Sequence, residues 1–431
     1  MKKISLLTLA FLTTMGLWAQ SGTNSPYSQY GYGCLAEQPS GFNTAMNGLS
    51  QGFRLHNQVN YTNPASYSAL DSLTFIFDVG ASGWMSNYKE GGVKKNASSA
   101  NFEYALGAFR VAKGVGVSFG LVPYSNVGYN YFNTQDVSEV ENSTTYTNTY
   151  SGDGGLHEVF LGAAWQPVKY VSIGANIGYL WGDINRSIIN SYSDAYVNTL
   201  SKTYYMEVNS YKLDLGAQFI VPVNRNSDIT IGVTFSPKHK LKTDPECRVV
   251  STNSSTGVSD TALYVLNDVL DLPASFAVGA TYNHRNKLRL GFDYQLQKFG
   301  DIEMPQYSVV NNVPQYSLVK GLLNDRSRYT FGGEYCRKED GRRFVDKVRY
   351  RFGASYATPY IKINGVDGPK EVSLSAGFGL PIINNYNNRS MLNISGQWTR
   401  RSATGMIREN EFRINIGLTF NEKWFQKFKV Q

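Results

Sequence analysis

A two-residue alternation, repeated along most of the chain, limits what this sequence can fold into more than any other feature. Leu288, Leu290, Phe292, Tyr294 and Leu296 share one parity; Arg289, Gly291, Asp293, Gln295 and Gln297 share the other. Successive side chains of a β-strand point to opposite faces, so one face here is apolar and the other polar or tiny. The same pattern runs from Val171 to Trp181, Tyr211 to Phe219, Val348 to Tyr356, Val372 to Phe378, Leu392 to Trp398 and Phe412 to Phe420.

A soluble sandwich also alternates, and three further features separate the two. Many of these segments reach about ten residues, against about 5–6 for an ordinary strand and about 9–11 for one that crosses a bilayer. The polar face is rich in Gly, Ser, Asn and charge, as a wet lumen requires. Trp84, Trp165, Trp181, Trp398, Tyr131 and Tyr356 stand near segment ends, where an aromatic girdle belongs. The expected fold is all-β, a membrane-spanning antiparallel β-barrel.

About fourteen strands fit, at 73–84, 97–110, 115–131, 154–166, 171–185, 203–221, 228–242, 274–284, 288–302, 326–336, 345–357, 371–381, 390–400 and 411–421. An even number suits an outer-membrane barrel. Connections alternate between short ones (Ala112 to Gly114, Pro167 to Tyr170, Pro222 to Ser227, His284 to Lys287, then the somewhat longer Arg337 to Phe344 and Ile382 to Arg389) and long ones (85–96, 132–153, 186–202, 243–273, 303–325, 358–370, 401–410). That rhythm places the short turns and both barrel termini in the periplasm.

Composition agrees. Thirty Tyr, 23 Phe and 41 Gly suit strands and tight turns, and charged residues are 17%, below the roughly 25% of soluble domains. A mean hydropathy of −0.31 argues against a helical membrane protein. Lys2 and Lys3, the apolar run Ile4 to Trp18, and Ala19 with Leu17 two residues before it read as a secretory signal too short to span. The expected organisation is a signal peptide at 1–19, an N-terminal plug or hatch at 20–70, and a barrel at 71–431.

Net charge is +8, or 8 − 2 = +6 without Lys2 and Lys3. The basic residues are scattered, with no aromatic-interleaved stripe, so no nucleic acid is expected. Cys34, Cys247 and Cys336 lack CxxC spacing and allow at most one disulfide. His56, His157, His239 and His284 lack metal-ligand spacing, and HExxH and P-loop patterns are absent. No enzyme, catalytic residue, cofactor or metal is expected; Ser118 and His157 have no third residue to complete a catalytic trio.

Residues 20–70 are polar, Gly-rich and free of strand alternation. Some fifty residues exceed what a linker needs. Small residues, aromatics and few charges suit packing over solvation, so this stretch is expected to fill the lumen.

Gly41 to Gly48, then Asn63-Pro64-Ala65-Ser66 before the first strand, resembles the amino-terminal region of the outer-membrane long-chain fatty-acid transporter family (FadL/TodX type). Leu272-Pro273-Ala274-Ser275 leading into a strand, then Leu290-Gly291-Phe292-Asp293-Tyr294, is similar to a second pattern of that family. The resemblance implies a hatch in the lumen, a fourteen-stranded barrel, passage of hydrophobic small molecules and lateral exit through a kinked wall. Phe42, Met46, Asn63, Pro64 and Ala65 become hatch candidates. The hatch here departs from the pattern in being rich in Tyr, Gln and Asn. Some relatives serve as shuttles in protein secretion, which makes secreted or surface proteins the alternative partners to a hydrophobic ligand and outer-membrane lipid.

The long connections carry apolar runs. Leu263, Tyr264, Leu266 and Leu270 have near-helical spacing, and Leu318 and Leu322 lie in the next loop. They are expected either to form a ligand groove or to pack as two small helices. A ligand carboxylate would need a cation, for which Arg289, Arg349, Arg351, Arg413 and Lys212 face the lumen. Asp214, Asp293 and Glu334 face it too, and ion pairing among these groups is the alternative.

Overall fold

The computed structural model describes residues 22–36, 40–137, 144–339, 341–382 and 390–422. The expected signal peptide and most of the connection from Ile382 to Arg389 lie outside the described residues. The wall comprises β1 (Phe75–Glu90), β2 (Val93–Ala112), β3 (Val115–Asp136), β4 (Thr145–Val168), β5 (Val171–Tyr192), β6 (Thr199–Asn224), β7 (Ser227–Ser236), β8 (Ser275–His284), β9 (Leu288–Gln297), β10 (Arg326–Cys336), β11 (Arg349–Ala357), β12 (Lys370–Pro381), β13 (Met391–Ser402) and β14 (Arg408–Glu422). Each pairs antiparallel with the next, and β14 returns to pair with β1 from Phe75↔Glu422 to Lys89↔Arg408. The sheet holds seventeen strands. Three are accessory: Cys34–Leu35 and the hairpin Glu246–Thr252/Ser259–Val265. The other fourteen close into a barrel that is paired all the way round at the short-turn end.

Parity sets the two faces. Phe292 is 49% exposed while Asp293 beside it is 7% exposed, and the apolar parity points outward toward lipid. Outward aromatics form two rings, Trp165, Tyr170 and Phe219 toward the short turns and Tyr179, Trp181 and Tyr211 toward the long loops. Two of the expected girdle residues are on the other side. Trp84 is 4% exposed and lies under the Arg413 guanidinium, 4.2 Å from its ring centroid, and Tyr131 stacks on Tyr150 inside. Trp84 shares the parity of Asp78 and Ser82, so the strand period aims it inward.

Three stretches expected as long loops, 85–96, 132–153 and 186–202, are largely strand. β1 and β2 meet at Gly91–Gly92, and β3 to β6 run well past the upper aromatic ring. In β5 the alternation inverts there: Ile177 and Tyr179 face out, but two turns of the pleat further Ile184 faces in and Asp183 and Asn185 face out. Below the membrane surface the outside is lipid; above it the outside is water and the inside is packed, so the apolar parity switches. At about 3.3 Å per residue the raised wall stands about 30 Å above that level.

The loops at 243–273 and 303–325 form β-hairpins, and neither holds the small helices weighed above. Glu246–Thr252 extends β6 and pairs with Ser259–Val265. Met304–Val310 pairs with Val313–Val319 around Asn311–Asn312, both at positive φ, as a two-residue hairpin turn requires. Val is the commonest residue of these runs and Tyr recurs in three of them, and β-branched and aromatic side chains favour the pleated form over a helix. All three cysteines are free thiols.

Candidate functional site

The N-terminal segment threads the lumen as short turns: a 3-10 turn at Pro26–Gln29, a helical turn at Gly41–Thr44 and a 3-10 turn at Pro64–Ala69. Asn63 caps the last, its Oδ1 accepting from the Ala65 N–H at 3.2 Å, and Pro64 occupies the first position, where no N–H is needed. Phe42, Met46, Asn63 and Ala65 are fully buried.

The wall meets this segment with hydrogen bonds to its backbone. Asp293 Oδ2 accepts from the N–H groups of Ser50 (2.7 Å) and Gln51 (2.9 Å). Asn63 and Gln218 each donate to the Gln51 carbonyl, and Asn176 donates to Tyr61 O at 2.9 Å. The Asp of the Leu290–Tyr294 pattern thus anchors the segment. Inward glycines, expected to border water, serve instead as seats. A Cβ at Gly232 would sit 1.8 Å from Gln51 O, at Gly116 2.0 Å from Tyr67 O, and at Gly174 2.6 Å from the Pro64 carbonyl carbon.

The inward cations weighed as ligand partners are ion-paired. Glu334 takes Arg289 Nη1 (2.7 Å), Arg349 Nη1 (2.6 Å) and Arg351 Nε (2.8 Å). Arg413 bonds Glu411 (2.9 Å) and Glu103 (2.8 Å), and Arg401 bonds Glu371, Glu409 and Glu411. Lys212 lies between Glu158 (3.2 Å) and Asp214 (2.5 Å). Of the two roles weighed for these residues, the geometry places them in ion-pair networks.

The wall is incomplete at one place. β2 and β3 pair only from Ala112↔Val115 up to Ala105↔Leu121. Beyond that, β2 stays with β1 and β3 with β4. Extra residues bend both strands at this point: Glu103 interrupts the β1–β2 register and Tyr124 the β3–β4 register. Bulges of this kind kink a strand and end its pairing, and Pro123 has no N–H to offer a neighbour. The N-terminal segment crosses the resulting seam. Cys34–Leu35 pair with Asn126–Ser125 of β3, and Asn24 Nδ2 donates to Ser98 O of β2 at 3.4 Å.

A cavity of about 190 Å³ lies between segment and wall and reaches the seam at Leu35, Val122, Pro123 and Tyr124. Its remaining lining is mixed, with Tyr61 and Leu272 beside the Lys212 network and Arg326 and Arg328. Toward the long loops it gives way to an apolar cluster of Tyr32, Leu156, Leu180, Ile184, Phe299 and Ile302, among others. Leu270 belongs to that cluster, and Leu318 and Leu322 pack on it. Leu263 is 52% exposed, Leu266 is half-buried with its N–H on Pro245 O, and Tyr264 meets Tyr307 edge-on; these three form no groove. Arg186 enters the cluster among Tyr129, Tyr316 and Tyr360, donating to Gly31 O at 2.6 Å. Sequence reasoning missed it, although its parity matches the inward Ile184 and Ile188. Ser118 and His157 lie on opposite faces of the wall and do not meet: Ser118 is buried in the lumen, and His157 faces out beside Trp181.

At the short-turn end one histidine ties segment to wall. His56 Nδ1 bonds Asp71 Oδ2 (2.7 Å) and Nε2 bonds Glu339 Oε1 (3.3 Å), which Arg349 also holds. The Asp71 and Glu339 hydrogen bonds outweigh burial and hold the imidazole up at about 9, against an ordinary 6.5; the same contact keeps Glu339 down at about 2. A raised folded-state value means this tie contributes fully below pH 6.5 and is lost as pH climbs through about 9. The melting temperature of wild type should therefore exceed that of His56→Gln by a margin that shrinks across that window. A pH-independent margin would contradict the tie.

A family model described as BamG matches residues 1–431. No curated protein matches the chain. Among solved structures, a Pseudomonas aeruginosa FadL homologue aligns at 11% identity over 91% of this chain and 99% of that one, with a TM-score of 0.61. The P. putida toluene transporter TodX aligns at 12% identity over 91% and 100%, with a TM-score of 0.60. The Ralstonia pickettii toluene transporter TbuX aligns at 14% identity over 89% and 98%, with a TM-score of 0.58. At these identities the likeness is one of fold.

Proposed function

The chain belongs to the BamG family, and from that premise we propose that this outer-membrane barrel passes hydrophobic small molecules from the cell exterior toward the seam between β2 and β3. In this reading the signal peptide is removed, the short turns face the periplasm, and the N-terminal segment is a hatch. The seam carries the proposal: a barrel wall that stops pairing halfway up, beside a cavity, offers a sideways route that a closed wall lacks.

The apolar cluster under the long loops would receive the ligand first. Each buried CH₂ contributes about 0.8 kcal/mol, so a short acyl or aromatic group suffices for capture. Arg186 within that cluster, which donates to the Gly31 carbonyl, favours a ligand with an apolar body and a polar or acidic head over a bare hydrocarbon. The cavity, at about 190 Å³, is smaller than the roughly 300–1,000 Å³ of a typical ligand site. Passage therefore requires the strap Cys34–Leu35 to leave Asn126–Ser125.

Locking that strap tests the route. Asn126→Cys places a thiol directly across from Cys34, at the separation where cross-strand side chains meet. Oxidised protein should lose uptake of a labelled acyl or aromatic acid, and reductant should restore it. Unchanged uptake in the locked protein would rule out the seam, and unchanged uptake in a deletion strain would rule out transport.

One observation favours a second reading, a partner for secreted or surface proteins. Strand Ser259–Val265 of the raised wall pairs on one side only among the described residues, with Leu263 and Val265 exposed, and such an edge can accept a partner strand. A photo-crosslinker at Leu263 that captures no specific protein in cells would remove this reading.

A further inference from the structure

The short-turn end carries a charge pattern that the transport reading does not use. Every described short turn presents an exposed cation: Lys113 between β2 and β3, Lys169 between β4 and β5, Arg225 between β6 and β7, Arg285 between β8 and β9, and Arg342 and Arg343 between β10 and β11. Most nearby acids are already paired with cations: Glu339 with His56 and Arg349, and Asp346 with Arg337 at 3.4 Å; Asp228 keeps its charge beside the Asn283 amide and is outnumbered by the cations.

The depth of this ring is fixed by the aromatics beside it. Lys169 lies over the ring of Tyr170, 5.3 Å from its centroid, and the outward Tyr335 and Tyr350 end the strands that flank the Arg342–Arg343 turn. Interfacial tyrosines sit at headgroup level, so the cations sit at or just past the phosphates. Next to Arg342 and Arg343, Phe344 is 46% and Val345 61% exposed, on a single helical turn that packs toward the end of β12. Two arginines beside two bare apolar side chains at a membrane surface match an anionic headgroup above an acyl chain.

We propose that this basic rim binds anionic phospholipid, with its principal site at Arg342, Arg343, Phe344 and Val345. The inner-leaflet location rests on the orientation given above; the binding chemistry does not. The test is independent of orientation. Purified full-length protein in neutral detergent is titrated with phosphatidylglycerol or phosphatidylcholine and followed by native mass spectrometry and thermal shift. Wild type should retain phosphatidylglycerol in preference to phosphatidylcholine, more weakly as salt is raised. Arg342→Glu with Arg343→Glu should lower that retention about tenfold or more. Lys113→Glu with Arg225→Glu, on other turns, should give a smaller loss and covers the case in which the first variant does not fold. Equal retention of the two lipids, or retention unmoved by both variants, would overturn the proposal. So would binding of an acidic peptide with no binding of phosphatidylglycerol, which would make this rim a protein surface.

Discussion

Glu334→Ala should destabilise the barrel by about 3–5 kcal/mol, the range for breaking a buried ion pair and leaving its partner behind. One carboxylate here serves three guanidinium groups, and the four side chains are 1%, 8%, 4% and 0% exposed for Glu334, Arg289, Arg349 and Arg351. Without it Arg349 keeps Glu339, Arg289 keeps only Asn286 and Arg351 keeps only Asn393. Two like charges then face one another with no anion between them. The loss would be read from urea-induced unfolding in liposomes. Removing a stranded cation, as in Glu334→Ala with Arg351→Met, should recover part of it, which separates charge from lost packing. A loss below about 1 kcal/mol would mean that lumen water solvates the arginines, as at an exposed pair.

The second large effect is on the closed state of the pore. Gly174→Val with Gly232→Val should turn a barrel with no steady current in a planar bilayer into a conducting one. Carbon contacts relax at about 3.5–4.0 Å, and a Cβ at Gly232 would lie only 1.8 Å from Gln51 O. Gly232 is pinned between Gln218 and Gly279 by the ladder on both sides, so the segment must yield and the wall stays. The two positions press on Gln51 and Pro64, on either side of the Asn63 anchor. A variant that keeps its folded barrel on unheated gels yet stays electrically silent would show that the segment accommodates the side chains.

How much of this was legible in the sequence depends on where each residue lies relative to the membrane surface. Within the bilayer the parity of Leu288 to Leu296 names the face of every residue, and the expected strand at 326–336 coincides with β10. Above that surface the rule inverts, which is why 186–192 read as loop and Arg186 escaped notice. Partners were less legible than faces. Arg289, Glu334 and Arg351 were all placed inward, but their meeting follows from register, Arg289↔Glu334 and Glu334↔Arg351. Register in turn depends on turn lengths that alternation does not encode. Gly174 was assigned to the lumen on the right side for the wrong reason. A missing side chain reads the same whether water or a backbone fills the space, and only the path of residues 40–70 distinguishes them.

That path constrains how the tube can be made. The segment touches β3 at Gly116, β5 at Gly174, β7 at Gly232, β9 at Asp293, β11 at Gly353 and β14 at Gly417, and Ser25 reaches Glu409, 384 residues away in the chain. A cylinder whose first and last staves are β1 and β14 cannot be sealed first and stuffed afterwards, because backbone seats around the whole circumference admit no sliding entry. The N-terminal stretch therefore acts as a mandrel. It precedes every strand of the wall, so the sheet is expected to roll around it, and the β1–β14 joint, the contact of greatest sequence separation in the wall and the slowest kind to form, to shut with the core already inside.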